Sequence, residues 1–320
     1  MSILITGGAG FIGSHLCQHL LATTDQPLVL LDNFNDYYDP RLKRANVSRF
    51  ANERRITVAS GDFCDSDFVS RLLLEHTVRA ICHLGAWPGV PESLRHPLTY
   101  FQNNVSGTVA MLEAARRHPV ERFLFASSST VYGPGAKAPF CEDAPLGIPA
   151  SPYGASKRAA EIVGLSYRQL YEVPFIALRF FNVYGPRMRP ELALAVFTRA
   201  ILSGTPLPLF GDGSVLRDFT HIGDICRGIA AALSAPAAIG ECINIGHEQP
   251  IAISRLIALI EAATGRPAVI DRHPPRPEDM PCTHADLSKA RRLLGYEPQI
   301  AIEQGVHEYV EWFRSEALGV

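Results

Sequence analysis

The sequence predicts an α/β fold, in which a doubly wound parallel sheet is accompanied by a smaller C-terminal substrate-binding lobe. Two observations carry this prediction. Short apolar segments alternate with helical stretches through the first 180 residues, and this is the pattern of repeated strand–helix units. Beyond Phe180 the chain changes to turns rich in proline and glycine, such as Gly185-Pro186 and Gly211-Asp212-Gly213. Turns of this kind are typical of a lobe built largely from loops.

The apolar segments have the length of strands buried inside a sheet. The predicted strands are Ile3–Thr6, Leu28–Leu31, Ile56–Val58, Ala80–Leu84, Phe123–Ala126, Phe175–Leu178 and Cys242–Ile245. The predicted helices include Ser14–Leu21, Val105–Arg117 and Tyr153–Tyr171. Because ligands of such sheets bind at the carboxyl ends of the strands, we expect the functional residues where these segments end.

The first strand leads directly into a glycine-rich turn. Gly7, Gly10 and Gly13 follow the strand and open a helix, with Phe11 and Ile12 between the last two. Glycines at these positions let the backbone approach a pyrophosphate, and the helix N-terminus points N–H groups at it. This order of strand, glycine turn and helix predicts a dinucleotide site of the Rossmann type.

Asp32 ends the second predicted strand, 19 residues after Gly13. A carboxylate there accepts hydrogen bonds from the adenosine ribose and repels a 2′-phosphate, so NAD is favoured over NADP. We therefore assign residues 1–179 to an NAD-binding domain. Residues 215–246 are expected to return to it, because Cys242–Ile245 reads as one more strand of the main sheet.

Tyr153 and Lys157 lie four residues apart in a predicted helix, so they share one face. Ser151-Pro152 is a helix start, with serine as the N-cap and proline in the first turn. An ammonium near a phenol favours the phenolate and is expected to lower the pKa of Tyr153 toward neutrality. Ser128, 25 residues earlier, can share the proton being moved. The alternative is a surface helix with an ordinary tyrosine and lysine.

Composition excludes several classes of protein. Charged residues make up 19% of the chain and its net charge is −2, so the basic surface of a nucleic-acid-binding protein is not expected. No apolar run is long enough to cross a membrane. The seven cysteines are scattered without a CxxC pair, which is typical of reduced thiols in the cytoplasm. Cys82-His83 has no neighbouring ligand cluster, so no metal site is predicted.

Motifs along the whole chain resemble those of the extended short-chain dehydrogenases/reductases, in the branch that modifies nucleotide sugars. They are Gly7–Gly13, Asp32-Asn33, Gly61-Asp62, His83–Ala86, Asn103–Val105, Ser127–Gly133, Tyr153–Lys157, Asn182–Pro186 and Arg217–Thr220. Within that branch, the segments Asp32–Lys43 and Gly185–Ala193 are most similar to the UDP-glucuronate 4-epimerases.

The resemblance implies a set of site residues, a UDP-sugar substrate and a homodimer that pairs through helices 105–117 and 153–171. The implied catalytic residues are Ser128, Tyr153 and Lys157. The implied NAD-binding residues are Gly7, Gly10, Phe11, Ile12, Gly13, Asp32, Asn33, Asp62, Phe63, Leu84, Gly85, Ala86, Asn104, Tyr153 and Lys157. The implied substrate-binding residues are Ser127, Ser128, Ser129, Thr130, Asn182, Arg189, Phe210, Arg217 and Arg276. Residues 180–214 and 247–320 are accordingly expected to form the nucleotide-sugar-binding lobe.

The reaction type is inferred from Thr130. Dehydratases and decarboxylases of this superfamily typically carry an acidic residue at that position, so reversible epimerisation at C4 is favoured. Arg189 is the candidate partner of a uronate carboxylate, which makes UDP-glucuronate the preferred substrate. A neutral sugar, as in the UDP-glucose/galactose 4-epimerases, remains the alternative, because Asn182 and the segment Trp87–Glu92 depart from the glucuronate pattern. A decarboxylase and an NAD-sensing regulator without catalysis are less favoured readings.

Overall fold

The computed structural model describes residues 2–275 and 280–316 of the chain, and its centre is a seven-stranded parallel sheet. The strands of this sheet are β1 (Ser2–Thr6), β2 (Leu28–Asp32), β3 (Ile56–Ser60), β4 (Val78–His83), β5 (Arg122–Ser128), β6 (Phe175–Phe180) and β11 (Cys242–Ile245). Their order across the sheet is β11-β6-β5-β4-β1-β2-β3. The order reverses between β1 and β4, and this switch point is where ligands bind in doubly wound sheets. The predicted fold class is confirmed.

Helices cover both faces of the sheet. They are α1 (Phe11–Thr23), α2 (Pro40–Ser48), α3 (Ser66–Glu75), α4 (Val90–Arg95), α5 (Pro97–Phe101), α6 (Gly107–Arg117), α7 (Pro152–Tyr171), α8 (Ala193–Ser203), α9 (Ile222–Leu233), α10 (Ile253–Thr264), α11 (Ser288–Leu294) and α12 (Ile302–Ser315). Neighbouring residues of β1 enter opposite cores. Ile3 and Ile5 pack on the side of α1 and α9, whereas Leu4 packs on the side of α3 and α6. This alternation is what a strand buried on both faces requires.

Short strand pairs build the part of the chain beyond β6. β7 (Asn182–Tyr184) pairs in parallel with β10 (Phe219–His221), and β8 (Leu207–Phe210) pairs in parallel with β13 (Ile270–His273). β9 (Leu216–Arg217) runs antiparallel to β12 (Ile251–Ala252). These small sheets and helix α8 stand beside the carboxyl ends of the main strands. The exact boundaries of the two predicted domains remain a prediction.

The helix predicted over residues 105–117 begins two residues later than expected. A π-helical turn, Gln102–Ser106, precedes α6. Such turns are uncommon and are often associated with functional sites, and this one carries Asn104. Among the described residues, no helix is long and apolar enough to cross a membrane.

Candidate functional site

A cleft of about 530 Å³ lies at the carboxyl ends of β1, β2, β4, β5 and β6. Its volume falls in the range of small-molecule sites. Nineteen of the residues predicted from sequence line it: Gly7, Gly10, Phe11, Ile12, Gly13, Asp32, Asn33, Phe63, Leu84, Gly85, Ala86, Ser127, Ser128, Tyr153, Lys157, Asn182, Arg189, Phe210 and Arg217. Arg276 lies outside the described residues. The fold thus brings predicted cofactor-binding and predicted substrate-binding residues into one cleft.

The glycine turn at the floor of the cleft leaves no room for side chains. Gly7 has φ +64°, a conformation that favours glycine. A Cβ on Gly13 would lie 2.3 Å from the carbonyl oxygen of Gly7, so the first helical turn packs directly on the turn backbone. The N-terminus of α1 is therefore free of side-chain bulk on this side, which is the cradle that a pyrophosphate needs.

Asp32 stands at the end of β2 and is fixed by the backbone around it. Its carboxylate accepts hydrogen bonds from the N–H of Ala9 at 3.1 Å and of Phe34 at 2.8 Å. The Nζ of Lys43 lies 3.9 Å from Oδ1 and donates to the backbone carbonyl of Asn35 at 3.0 Å. Burial lowers the pKa of Lys43. The sequence analysis did not identify Lys43, because a lysine inside a helix eleven residues beyond Asp32 reads as a solvated side chain.

The loop after β4 carries the predicted residues Leu84, Gly85 and Ala86 along the cleft. Asn104 holds the end of this loop. Its side chain accepts from the N–H of Trp87 at 2.8 Å and donates to the carbonyl of Trp87 at 2.9 Å and to Ser156 Oγ at 3.0 Å. These bonds engage the whole amide group. In the structure, Asn104 shapes the loop that lines the cleft.

Two further predicted cofactor residues follow β3. Phe63 is buried and packs edge-on against His83, with ring centroids 5.0 Å apart. Asp62 is exposed and accepts a hydrogen bond from the N–H of Cys64 at 2.8 Å. It is not among the cleft-lining residues within the described part of the chain.

Tyr153 enters the cleft from the first turn of α7. The predicted helix start is confirmed, because Ser151 Oγ accepts a hydrogen bond from the N–H of Gly154 at 3.1 Å. The Tyr153 phenol lies beside Ser128, the last residue of β5, whose hydroxyl lowers the pKa of the tyrosine. A tyrosine and a serine in this arrangement can exchange a proton with a substrate hydroxyl.

The predicted effect of Lys157 on Tyr153 is wrong for the protein as described. Burial raises the pKa of Tyr153, and the groups that lower it are Arg189 and Ser128. Lys157 is itself buried, and desolvation lowers its pKa to about 7. Its Nζ donates to the carbonyl oxygen of Ala126 at 2.7 Å. The interval of four residues predicted that both side chains share one helix face. It could not predict their burial, which disfavours the charged form of each group.

The run Ser127–Thr130 divides into different roles. Ser128 Oγ accepts from the N–H of Thr130 at 3.2 Å and from its hydroxyl at 3.0 Å. Ser127 Oγ donates to Oε1 of Glu161 at 2.6 Å, so its hydroxyl is engaged inside the protein. Ser129 is buried in the turn after β5, and within the described residues neither Ser129 nor Thr130 is among those that line the cleft.

The far wall of the cleft carries the predicted substrate residues. Asn182 accepts a hydrogen bond from Thr283 at 3.1 Å, and Arg217 donates to the carbonyl of Met280 at 2.6 Å. Phe210 stacks on His273, with centroids 5.1 Å apart. Asp218, which the sequence analysis did not single out, organises this wall. Its buried carboxylate accepts from the N–H groups of His247, Glu248 and Ala285 at 2.7, 3.0 and 3.0 Å.

Arg189 reaches the cleft beside Tyr153, whose pKa it lowers. Its side chain is 17% exposed, and its Nε lies 3.2 Å from Glu191. Within residues 2–275 and 280–316, the guanidinium donates no hydrogen bond that satisfies both distance and angle. It lies over the ring of Tyr37 at 5.8 Å, and Tyr37 packs edge-on against Trp87 at 5.5 Å. The sequence analysis missed Tyr37, because its contacts join segments far apart in the chain.

Known proteins match the chain over almost its full length. Residues 4–309 match the family described as GDP-mannose 4,6 dehydratase. The UDP-glucuronate 4-epimerase of Thermodesulfobacterium geofontis is 36% identical over 311 residues, which cover 97% of this chain and 95% of the relative.

Two solved structures are also similar. One is UDP-glucuronic acid 4-epimerase from Bacillus cereus in complex with UDP-glucuronic acid and NAD, with a TM-score of 0.93, 36% identity and coverage of 98% of this chain and 99% of that one. The other is a double mutant of dTDP-glucose 4,6-dehydratase from Streptomyces venezuelae with NAD bound, with a TM-score of 0.93, 32% identity and coverage of 100% and 98%. The predicted resemblance is confirmed, and the chain belongs to the GDP-mannose 4,6 dehydratase family of extended short-chain dehydrogenases/reductases.

Proposed function

We propose that the protein is an NAD-dependent 4-epimerase that interconverts UDP-glucuronate and UDP-galacturonate. The observation that carries the proposal is an arginine, Arg189, which lines the cleft beside Tyr153 and whose Nε pairs with the exposed Glu191 at 3.2 Å. Relatives named UDP-glucuronate 4-epimerase, at 36% identity over nearly the whole chain, support the same reaction. Fold similarity alone does not decide the reaction, because a dehydratase matches equally well.

The residues present fit NAD. The glycine turn brings the backbone and the N-terminus of α1 to the cleft with no side chain at Gly7, Gly10 or Gly13, and the Asp32 carboxylate is held at the end of β2 where a ribose is bound in this fold. When bound, NAD supplies the acceptor that lets C4 of the sugar be oxidised and then reduced. We propose that Lys157 and Asp32 bind the two riboses and that the first turn of α1 binds the pyrophosphate.

The chain's own groups handle the proton. Tyr153, as phenolate, takes the proton of the sugar 4-hydroxyl and later returns it to the same oxygen, when C4 is reduced from its opposite face. Ser128 hydrogen-bonds both Tyr153 and the reacting oxygen, so the proton moves over a short distance. Thr130, which stands where related dehydratases and decarboxylases typically carry an acid, supplies no base for chemistry at C5. These groups suffice for reversible chemistry at C4.

If the substrate is a uronate, the site must also hold the orientation of its carboxylate. Once C4 is a ketone, the carboxylate belongs to a β-keto acid, which loses CO2 unless its orientation is held. A guanidinium fork matches carboxylate geometry with two parallel hydrogen bonds. We infer that Arg189 makes this contact, with Asn182 nearby on the same wall, and that Arg217, Phe210 and Arg276 bind the diphosphate and base.

Replacing Arg189 tests the substrate. Arg189→Ala should weaken kcat/KM for UDP-glucuronate by several kcal/mol, since a charge partner in a partly dry site is lost. Some CO2 loss with formation of a 4-keto pentose should accompany it. Arg189→Lys, which keeps the charge but loses the fork, should recover only part of the activity. Product ratios are measured by NMR on UDP-glucuronate and UDP-glucose.

UDP-glucose is the matched control for that experiment. On a neutral sugar, removal of Arg189 should cost under about 1 kcal/mol, as for an ordinary loop cation. Equal losses on both sugars, or no loss on the uronate, would show that Arg189 is not the carboxylate partner. Faster turnover of UDP-glucose than of UDP-glucuronate by the wild type would favour the neutral-sugar alternative.

We propose that the protein forms a homodimer through α6 and α7, the helices that the resemblance implies, and that the neighbouring helix α5 takes part. Large apolar side chains are exposed on these packed helices: Leu98 is 76% exposed, and Phe101 and Ile162 are 40% and 51% exposed. Grouped exposed apolar side chains on neighbouring helices are typical of an interaction surface. We further propose a cytoplasmic location, which the seven free cysteines support.

A further inference from the structure

One face of α7 contacts three consecutive residues at the end of β5. Tyr153, Lys157 and Glu161 follow one another at intervals of four residues, so they lie on one side of the helix. Tyr153 lies beside Ser128, which lowers its pKa, and Lys157 donates to the carbonyl of Ala126 at 2.7 Å. Glu161 accepts from the hydroxyl of Ser127, between these two, at 2.6 Å. The catalytic pair and Glu161 therefore bind the same short stretch of strand.

Glu161 is fully buried and engaged on both carboxylate oxygens. Arg179 on β6 donates from Nε to Oε1 at 2.9 Å and from Nη2 to Oε2 at 3.0 Å, and Arg158 lies 3.2 Å from Oε2. Arg179 is 2% exposed in its side chain, and its guanidinium lies over the ring of Tyr132 at 4.9 Å. Two parallel charge-assisted bonds fix the orientation of both groups. The Glu161 carboxylate is thus rigidly held between α7, β5 and β6.

We propose that Glu161, held by Arg179, is a positioning residue that sets the end of β5 against α7 and so aligns Ser128 with Tyr153 and Ala126 with Lys157. This inference rests on the proposed function for the reaction it serves. Its geometric basis is Ser127, whose hydroxyl ties the strand to Glu161. It also reassigns Ser127, which the sequence suggested as a substrate contact, to the support of its neighbours.

The negative charge of Glu161 has a second effect, which is on the protonation of Lys157. Desolvation lowers the pKa of Lys157, and the nearby Glu161 carboxylate raises it again. A protonated Lys157 is the form that can stabilise the phenolate of Tyr153. Removing the carboxylate should therefore make Lys157 lose its proton at lower pH. A structural ion pair without influence on the site would leave this titration unchanged.

Three variants separate the proposal from a general loss of stability. Ser127→Ala removes only the link between strand and carboxylate, and Glu161→Gln keeps the shape but removes the charge. Asp224→Asn is the matched control, because Asp224 is another buried carboxylate, paired with Arg227 and accepting from the N–H groups of Gln299 and Ile300 at 2.7 and 3.2 Å. Both Asp224 and its partners belong to a region that the reaction does not use.

Kinetics on UDP-glucuronate give the first readout. We expect Ser127→Ala and Glu161→Gln to lower kcat by tenfold to about a hundredfold, since small misplacements of reacting groups cost this much, with KM nearly unchanged. Asp224→Asn should keep the kcat of the folded wild type. A raised KM with normal kcat in Ser127→Ala would return Ser127 to the substrate-binding residues and overturn the proposal.

The second readout does not depend on turnover. The chain has four lysines, Lys43, Lys137, Lys157 and Lys289, so protein labelled with ¹³C at the lysine ε-carbon gives a spectrum simple enough to titrate. Lys157→Met identifies the signal of Lys157. We expect a titration near pH 7 in the wild type, at lower pH in Glu161→Gln and unchanged in Asp224→Asn.

The outcomes distinguish failure of the proposed function from failure of the proposed positioning role of Glu161. An inactive wild type with a shifted Lys157 titration in Glu161→Gln refutes the proposed function and leaves the link between Glu161 and Lys157 standing. An active wild type with normal kcat in both Ser127→Ala and Glu161→Gln, and an unshifted titration, overturns the positioning role.

Discussion

At the scale of single residues, Tyr153 and Lys157, the proposed catalytic pair, show how burial sets the protonation state of a side chain. Burial raises the pKa of Tyr153 and lowers that of Lys157, so at neutral pH the free protein keeps the proton on the tyrosine. Both shifts oppose the catalytic state, phenolate with ammonium. Because Tyr153 must lose a proton while Lys157 keeps its own, we expect kcat/KM to rise with pH up to about 7, where Lys157 begins to lose its proton, and then to level off.

Tyr153→Phe tests the base directly. A phenyl ring fills the same buried space, so stability and NAD content should change little. Activity should fall by roughly 10²–10⁴, the usual contribution of a general acid–base, and should not recover at high pH. Initial rates across pH, with circular dichroism as the folding control, give the measurement. Near-normal turnover in the folded variant would refute the proposed role of Tyr153.

Sequence spacing predicted these residues well but not their surroundings. The glycine turn, Asp32, Tyr153 and Lys157 are recognisable because local chemistry fixes them: a helix cap, a tight turn or an interval of four residues. Lys43, Tyr37 and Asp218 were missed, because their importance comes from contacts between segments far apart in the chain. Ser127 and Asn104 were identified, but the structure shows partners for both that no spacing reveals.

At the scale of elements, the strands of the sheet were predicted more accurately from the sequence than the helix boundaries were. Apolar segments predicted all seven strands. Strands buried on both faces, such as β1 and β2, leave a continuous apolar run, whereas the edge strand β3 is largely exposed and was predicted from its place in the strand–helix alternation. The start of α6 was misplaced, because the π-helical turn over Gln102–Ser106 keeps the helical pattern while adding a residue. That turn directs Asn104 toward the backbone of Trp87.

The exposed faces of α5 and α7 allow a prediction about the oligomeric state. The wild type should have a mass of about 70 kDa by light scattering, twice the 35.0 kDa of one chain. Leu98→Glu with Ile162→Glu should produce a monomer, because charges replace the apolar contact. Ile148→Glu is the control, since Ile148 is 88% exposed on a loop outside this surface. A wild-type mass of one chain, or a dimer unaffected by the double substitution, would contradict the proposed interface.

At the scale of the whole molecule, one side of the cleft is formed by residues at the ends of the main-sheet strands. The other side is formed by residues of the smaller lobe. Gly13 and Asp32 come from the first, and Asn182 and Arg217 come from segments beyond β6. A reaction that oxidises and then reduces the same carbon needs both parts in a single cleft and leaves the redox state of the cofactor unchanged. The central claim is therefore a redox-neutral epimerisation at C4 with NAD retained.

The most direct test follows UDP-glucuronate by ¹H NMR in ²H₂O, with purified protein and no added NAD. The account predicts conversion to UDP-galacturonate with hydrogen, not deuterium, at C4, because the hydrogen that leaves C4 returns to it. Denaturing the same protein should release about one NAD(H) per chain, as expected of a resident cofactor, and Tyr153→Phe should form product roughly 10²–10⁴ times more slowly. Conversion that requires stoichiometric added NAD and accumulates NADH, preference for NADP, or deuterium at C4 of the product would contradict the account.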